Sequence, residues 1–192
     1  MTKFILHGGF ARTRNELNKS FFTEMVSELS DGDIVLLVYF SREDNEYEKL
    51  TAQDTTFITE CAGETKVQFE VANKEFFIDQ IKSAKAIYFR GGITDKLLAT
   101  VNEHPEFVEA IQGKIVAGSS AGVYLFSTYY HSASTGKINK GLGLLPIRVI
   151  CHFESEAEEF DVNEQSIQDM EKYSQDLELV VLHDFEWKVF EK

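Results

Sequence analysis

The stretch Gly118-Ser119-Ser120-Ala121-Gly122 restricts this chain more than any other. The run Lys114-Ile115-Val116-Ala117 precedes it and a helix-compatible run, Val123 to Ser127, follows. Strand, Gly-x-Ser-x-Gly, helix is the pattern of a nucleophile elbow, in which a serine on a sharp turn projects its hydroxyl clear of a sheet. Small flanking residues permit the strained backbone. The amide after the serine, here that of Ala121, can face a developing oxyanion at the helix N-terminus. A plain Gly/Ser-rich turn has the same composition, but the surrounding pattern favours a catalytic Ser120.

That surrounding pattern is an alternation of strands and helices. Lys3 to Leu6 is a short apolar strand ending in His7-Gly8-Gly9, a βα turn of the kind parallel sheets use. Leu17, Phe21, Met25 and Leu29 give Asn15 to Leu29 a helical period. Ile34 to Phe40 is continuously apolar, as a strand covered on both faces must be. Helices are expected over Tyr47 to Cys61, Phe76 to Ala84, Asp95 to Val101 and Glu106 to Gln112, with strands at Lys66 to Val71 and Ala86 to Phe89. Beyond the elbow, Tyr129 to Gly143 reads as a long surface loop, Ile147 to Cys151 as a strand delivering His152, and Asn163 to Tyr173 as a helix. Leu177 to Leu182 and Trp187 to Phe190 read as a closing hairpin. The expected architecture is α/β: a doubly wound, mostly parallel sheet flanked by helices, one domain over residues 1–192, with a C-terminal hairpin.

Composition excludes several functions. A formal charge of -13 disfavours nucleic acid and anionic membrane surfaces, both of which need clustered Lys and Arg. No apolar run approaches membrane-spanning length, and Met1-Thr2-Lys3 leads into too short an apolar segment for a secretory signal. Cys61 and Cys151 form no CxxC pair and read as reduced, buried thiols. A cytoplasmic protein, monomer or homodimer, with no metal and no cofactor is the expectation. The acidic run Glu154 to Glu164 reads as a solvated face.

A serine hydroxyl needs a base. His104 and His183 are expected at the surface, His131 in the loop after the elbow, and His7 at a strand end where it could touch a ligand. His152, closing a strand downstream of the elbow, is the candidate base, the alternative being a structural histidine. Gly91-Gly92 ends the strand before the elbow strand. It reads either as a second oxyanion donor or as an ordinary glycine turn.

A family resemblance rests on three segments. Tyr88 to Leu97, with Arg90-Gly91-Gly92-Ile93-Thr94-Asp95, resembles the Gly-Gly-Asn-Thr segment of the peptidase E family. Val116 to Gly122 resembles its Gly-x-Ser-Ala-Gly elbow. Gly141-Leu142-Gly143-Leu144-Leu145-Pro146 with Cys151-His152-Phe153 resembles its Gly-Leu-x-Leu…Pro-His-Phe segment. The family includes aspartyl dipeptidase and cyanophycinase and has a class I glutamine amidotransferase-like fold. The resemblance implies Ser120 as nucleophile, His152 as base, and Gly92 with Ala121 as oxyanion donors. It also implies hydrolysis of small peptides with an N-terminal aspartate, or of isoaspartyl-type bonds. Gly91 and Arg90 are then candidate substrate contacts, with Arg148 and Arg12 as further cations for an aspartyl carboxylate.

Three positions depart from the family pattern. Ile93 stands where asparagine is usual, and Cys151 replaces the usual residue before the histidine. No Asp or Glu lies between Ala121 and Cys151, where the triad acid is expected; Thr135 and Asn139 fall there. Losing that acid costs roughly 10⁴-fold in related triads. Glu154 is the candidate replacement, because residues two apart on an extended segment point the same way; otherwise it simply opens the acidic run, and Glu156 or Glu158 remains. The expectation is a serine peptidase acting on small peptides through Ser120 and His152. The alternatives are an impaired homologue that binds a small ligand, or an esterase.

Overall fold

The computed structural model describes residues 1–192. Its chain order is β1 (Lys3–His7), α1 (Glu16–Val26), β2 (Ile34–Val38), α2 (Tyr47–Ala62), β3 (Gln68–Val71), α3 (Phe77–Ser83), β4 (Ala86–Phe89), α4 (Thr94–Asn102), α5 (Phe107–Ala110), β5 (Ile115–Ser119) and α6 (Ala121–Phe126). Then come β6 (Tyr129–His131), β7 (Ile138–Lys140), β8 (Ile147–Phe153), α7 (Glu164–Glu171), β9 (Glu178–His183) and β10 (Trp187–Glu191). The main sheet has the order β10-β1-β5-β4-β2-β3. It is parallel except for β10, which runs antiparallel along the edge of β1.

The two-residue period of the strands splits the apolar residues between two cores. Phe4, Leu6, Leu36, Val38, Ile87, Phe89 and Val116 face one side, against Phe77 of α3, Leu97 and Val101 of α4, and the whole of α6. Ile5, Val35, Leu37, Tyr88 and Ala117 face the other, against Phe21, Phe22 and Met25 of α1 and Phe57 and Ile58 of α2. Helix α1 starts where Asn15 caps it, its side chain accepting the Asn18 N–H at 2.8 Å. That contact satisfies one of the orphan donors of a helix N-terminus.

A second sheet, β7-β6-β8-β9, packs over the α6 side. Strand β8 sends Ile147, Val149 and Cys151 into the first core. Ile150 and Phe153 go to a smaller cluster with Met170 of α7. Two expectations are corrected here. Part of the segment expected as a surface loop is the β6–β7 hairpin, with Tyr129 opposite Lys140, and Tyr130 pairs with Val149 of β8. The C-terminal strands form no hairpin. β9 pairs parallel with β8 in the second sheet, and β10 pairs with β1 in the main sheet, Phe4 opposite Phe190. Two neighbouring alternating strands look the same in sequence whether they pair with each other or with separate sheets. Here the buried Val180 and Leu182 commit β9 to the first core. Trp187, the single tryptophan, opens β10 opposite His7 and donates from Nε1 to Ser20 Oγ at 3.0 Å.

No helix is long and apolar enough to cross a membrane. Both cysteines are free; Cys151 is buried and Cys61 only partly so. Helix α6 lies so close to β4 that a Cβ on Gly122 would fall 2.5 Å from the Phe89 carbonyl oxygen. Gly122→Ala is therefore expected to cost about 1–3 kcal/mol through overpacking. Urea unfolding measures it, and an unchanged midpoint would show that α6 can move away from β4.

Candidate active site

The carboxyl ends of β1, β2, β4 and β5 open toward the link between β9 and β10, and the site is built there. Ser120 follows β5 with φ 49° and ψ -102°, a conformation outside the ordinary regions for a residue with a side chain. It is held by its own backbone. Its N–H donates to the His7 carbonyl at 3.0 Å, and its carbonyl accepts from Val123 and Tyr124 in the first turn of α6.

His152 reaches Ser120 because β8 carries one extra residue. Ile150 pairs with Val181, yet Phe153 pairs with His183, so three steps on β8 match two on β9. Such a bulge re-aims a side chain, and His152 sits in it with φ 57°. Its Nε2 lies 3.1 Å from Ser120 Oγ and its Nδ1 2.7 Å from Asp184 Oδ1. The second oxygen of Asp184 accepts from Ser155 Oγ at 2.6 Å, and Ser155 Oγ accepts the Ala157 N–H at 3.2 Å. Gly9 makes the room: a Cβ there would fall 2.0 Å from His152 Cε1.

The carboxylate on His152 is thus that of Asp184, and the expected Glu154 is corrected. Glu154 is exposed, with φ 51°, and its N–H donates to the Val162 carbonyl. Positive φ at both His152 and Glu154 breaks the extended geometry on which a shared face depends. The acid absent from Ala121 to Cys151 comes instead from the link between the two sheets. Its sequence signal was an aspartate directly after an apolar strand, at the strand end where parallel sheets carry their sites. Taking that link for a hairpin turn hid it.

Aromatic rings enclose the imidazole. Phe160 stacks on His152 with centroids 4.0 Å apart, and Phe10 meets it edge-on at 5.2 Å. Six non-glycine residues have positive φ. Five of them (Phe10, Ser120, His152, Glu154 and Phe185) lie in or beside this cluster. Strain of this kind costs of order 1–3 kcal/mol per residue and concentrates at functional sites.

A cavity of about 220 Å³ lies in front of Ser120, with Arg12, Arg42, Arg90, Gly91, Gly92 and Phe160 among its walls. That is smaller than the usual pocket for a drug-sized ligand and suits a ligand of one or two residues. Neither Gly91 nor Gly92 donates its amide to another backbone group. Ala121 opens α6, and a first-turn N–H has no partner within its helix. Arg90 reaches the wall with its charge already paired to Asp54, and both side chains are nearly fully buried. Asp54 also accepts from Tyr39 Oη at 3.0 Å. Arg148 is elsewhere, donating to the carbonyls of Met170, Tyr173 and Leu177 beyond the end of α7. Arg12 is exposed at the rim, and Arg42 is a wall residue that sequence reasoning missed.

His7 is not a ligand contact. It is fully buried beneath the β1 turn. Its Nδ1 accepts the Gly9 N–H at 3.1 Å, so Nε2 carries the proton that Asn18 Oδ1 accepts at 2.7 Å. Asn18 in turn donates to the carbonyls of Phe10 and Thr13, which shapes the loop carrying Phe10. His131 is buried on β6, and His104 packs on Phe77.

The sequence model of peptidase family S51 matches residues 5–191. The chain belongs to peptidase family S51. Two solved structures share the fold of this S51 peptidase. One is a peptidase from an acI-B1 Actinobacterium, with TM-score 0.71 and 19% identity, covering 100% of this chain and 84% of that one. The other is a putative peptidase E protein from Listeria monocytogenes EGD-e, with TM-score 0.64 and 16% identity, covering 100% and 98%. No curated protein matches.

Burial pushes the His7 imidazole down to about 4 from 6.5. Above pH 6.5 the folded and unfolded states are both neutral there. Below it the unfolded chain takes up a proton that the folded protein refuses until about pH 4, so stability falls with pH in this window. His7→Gln is expected to remove a dependence of about 1.4 kcal/mol per pH unit. Urea unfolding of both proteins between pH 7 and pH 4.5 reads the difference; parallel curves would contradict it.

Proposed function

We propose that this S51 family member is a serine peptidase that cleaves small peptides bearing an acidic N-terminal residue. One observation carries the reading: a hydroxyl, an imidazole and a carboxylate stand in series at 3.1 Å and 2.7 Å, on a serine held in a strained elbow. Ser120 Oγ attacks the scissile carbonyl carbon as His152 Nε2 takes its proton. Asp184 fixes the tautomer and stabilises the imidazolium. The oxyanion is received by the amides of Ala121 and Gly92. His152 then protonates the leaving amine, the C–N bond breaks, and water resolves the acyl-enzyme by the same proton path.

The walls support the substrate class. Arg12 and Arg42 bring positive charge to a chain of formal charge -13. Glu159, on the same wall, supplies a carboxylate for an α-ammonium group. Arg90 serves the wall as a neutralised pair with Asp54, and Gly91 packs on the elbow, where its Cβ would fall 3.2 Å from Ser120 Cβ. The two free thiols suit a reducing, cytoplasmic setting.

Hydrolysis of a dipeptide panel, Asp-x beside neutral N-termini, tests the reading. Ser120→Ala is expected to abolish turnover. Asp184→Asn is expected to lower kcat by roughly 10⁴-fold, as loss of the orienting acid does in related triads, whereas Glu154→Gln should stay within about threefold of the wild type. Turnover surviving Ser120→Ala, or an Asp184→Asn variant as active as the wild type, would overturn it. Asp184 oxygens accept only from His152 and Ser155, so Ser155→Ala is expected to give a smaller loss of roughly tenfold, the scale of one hydrogen bond to a charged group. An unchanged kcat in Ser155→Ala would show that His152 alone holds the carboxylate.

A further inference from the structure

The β2–α2 loop grips the loop that follows β4, the strand beside β2. Ser41 Oγ donates to the Arg90 carbonyl at 2.7 Å, the Ile93 N–H donates to the Ser41 carbonyl at 2.9 Å, and Arg42 Nε donates to the Gly91 carbonyl at 2.7 Å. Lys96 Nζ reaches back to the Arg42 carbonyl. The fit depends on glycine: a Cβ on Gly92 would fall 2.4 Å from the Ser41 carbonyl and 2.9 Å from Arg42 Nε. A trans peptide points its C=O and N–H in opposite directions. Arg42, by holding the Gly91 carbonyl, therefore sets the direction of the Gly92 N–H.

The rest of the guanidinium is uncommitted. Only Nε is hydrogen-bonded within the protein, and Arg42 lines the cavity. Arg90 has Asp54, whereas Arg42 makes no ion pair of its own. Burial and then the charge of Arg90 lower the Arg42 guanidinium from its ordinary value; Glu46 opposes them, and Arg12 adds a smaller lowering that Tyr88 opposes. An anion entering the cavity relieves that repulsion.

We propose that Arg42 both receives the acidic side chain of the substrate through its Nη groups and positions the Gly91–Gly92 oxyanion loop through Nε. One planar guanidinium would then couple recognition of the correct substrate to alignment of the Gly92 amide. A lysine ammonium supplies the charge but not the fork, so it cannot do both at once. The proposal rests on the peptidase reading above and names the residue that selects the substrate.

The experiment compares wild type, Arg42→Lys and Arg42→Gln on Asp-initiated and Ala-initiated dipeptides, with thermal unfolding of each. In Arg42→Gln, kcat is expected to fall on both substrates and KM to rise on the Asp-initiated one alone. The loss in kcat/KM for the acidic substrate should be roughly 10- to 100-fold, the range for a hydrogen bond to a charged group. Arg42→Lys should recover KM but not kcat. A purely structural role would lower both substrates alike and move the unfolding midpoint, and that result, or unchanged kinetics, overturns the proposal. A binding arm needs no turnover: L-aspartate titrated into Ser120→Ala and into Ser120→Ala/Arg42→Gln by calorimetry. Tenfold or greater weakening in the double variant supports the proposal, and equal affinities overturn it. Failure of wild-type hydrolysis would count against the peptidase reading, while the titration still decides the role of Arg42.

Discussion

The imidazole of His152 is the joint between the two sheets. Ser120 belongs to the main sheet, at the end of β5; His152 belongs to the second, at the end of β8; Asp184 lies on the link that passes from the second sheet back to the first. Hydrogen bonds of 3.1 Å and 2.7 Å have meaning only if the sheets keep a fixed relation. The turn after β1 supplies it through its backbone. The Gly8 carbonyl accepts from His152 N–H, the Gly8 N–H donates to the Glu186 carbonyl, and the Gly9 carbonyl accepts from Phe185 N–H. The shared core, where Val149 and Cys151 of β8 meet Leu125 of α6, carries the load behind those bonds.

This arrangement accounts for where the strain lies. Phe10, Ser120, His152 and Phe185 take positive φ within one cluster, at a cost of order 1–3 kcal/mol each. The strands behind them are buried on both faces and offset that cost. His7 belongs to the same arrangement. Its place under the turn looks like that of a ligand-binding histidine, yet its two ring nitrogens are spent on Gly9 and Asn18. It holds shape for Phe10, which in turn edges the imidazole.

Much of the main sheet was legible because its strands announce their own burial. Ile34 to Phe40 is apolar throughout, and only a doubly covered strand accepts that. The elbow was legible because glycine is required on both sides of Ser120, at Gly118 and Gly122, by contacts with Phe126 and Phe89. The pairing of the last two strands was not legible, since alternation in β9 and β10 says which face is buried but not which strand lies alongside. Asp184 went unseen for that reason. Glu154 was chosen on a period of two that a single inserted residue in β8 cancels, and no local composition announces such a bulge. Arg42 escaped notice because its role depends on a contact across 49 positions of sequence.

Trp187 has a consequence of its own. It opens β10 three positions after Asp184, lies opposite His7, and bonds to Ser20 on α1. As the chain's single tryptophan, it is the source of the protein's long-wavelength emission. Detachment of the link carrying Asp184 from the β1 edge would break the pairing of Trp187 with His7 and change its surroundings. The fluorescence of this protein is therefore an optical gauge of whether the acid-bearing link is docked, built into the chain without a label.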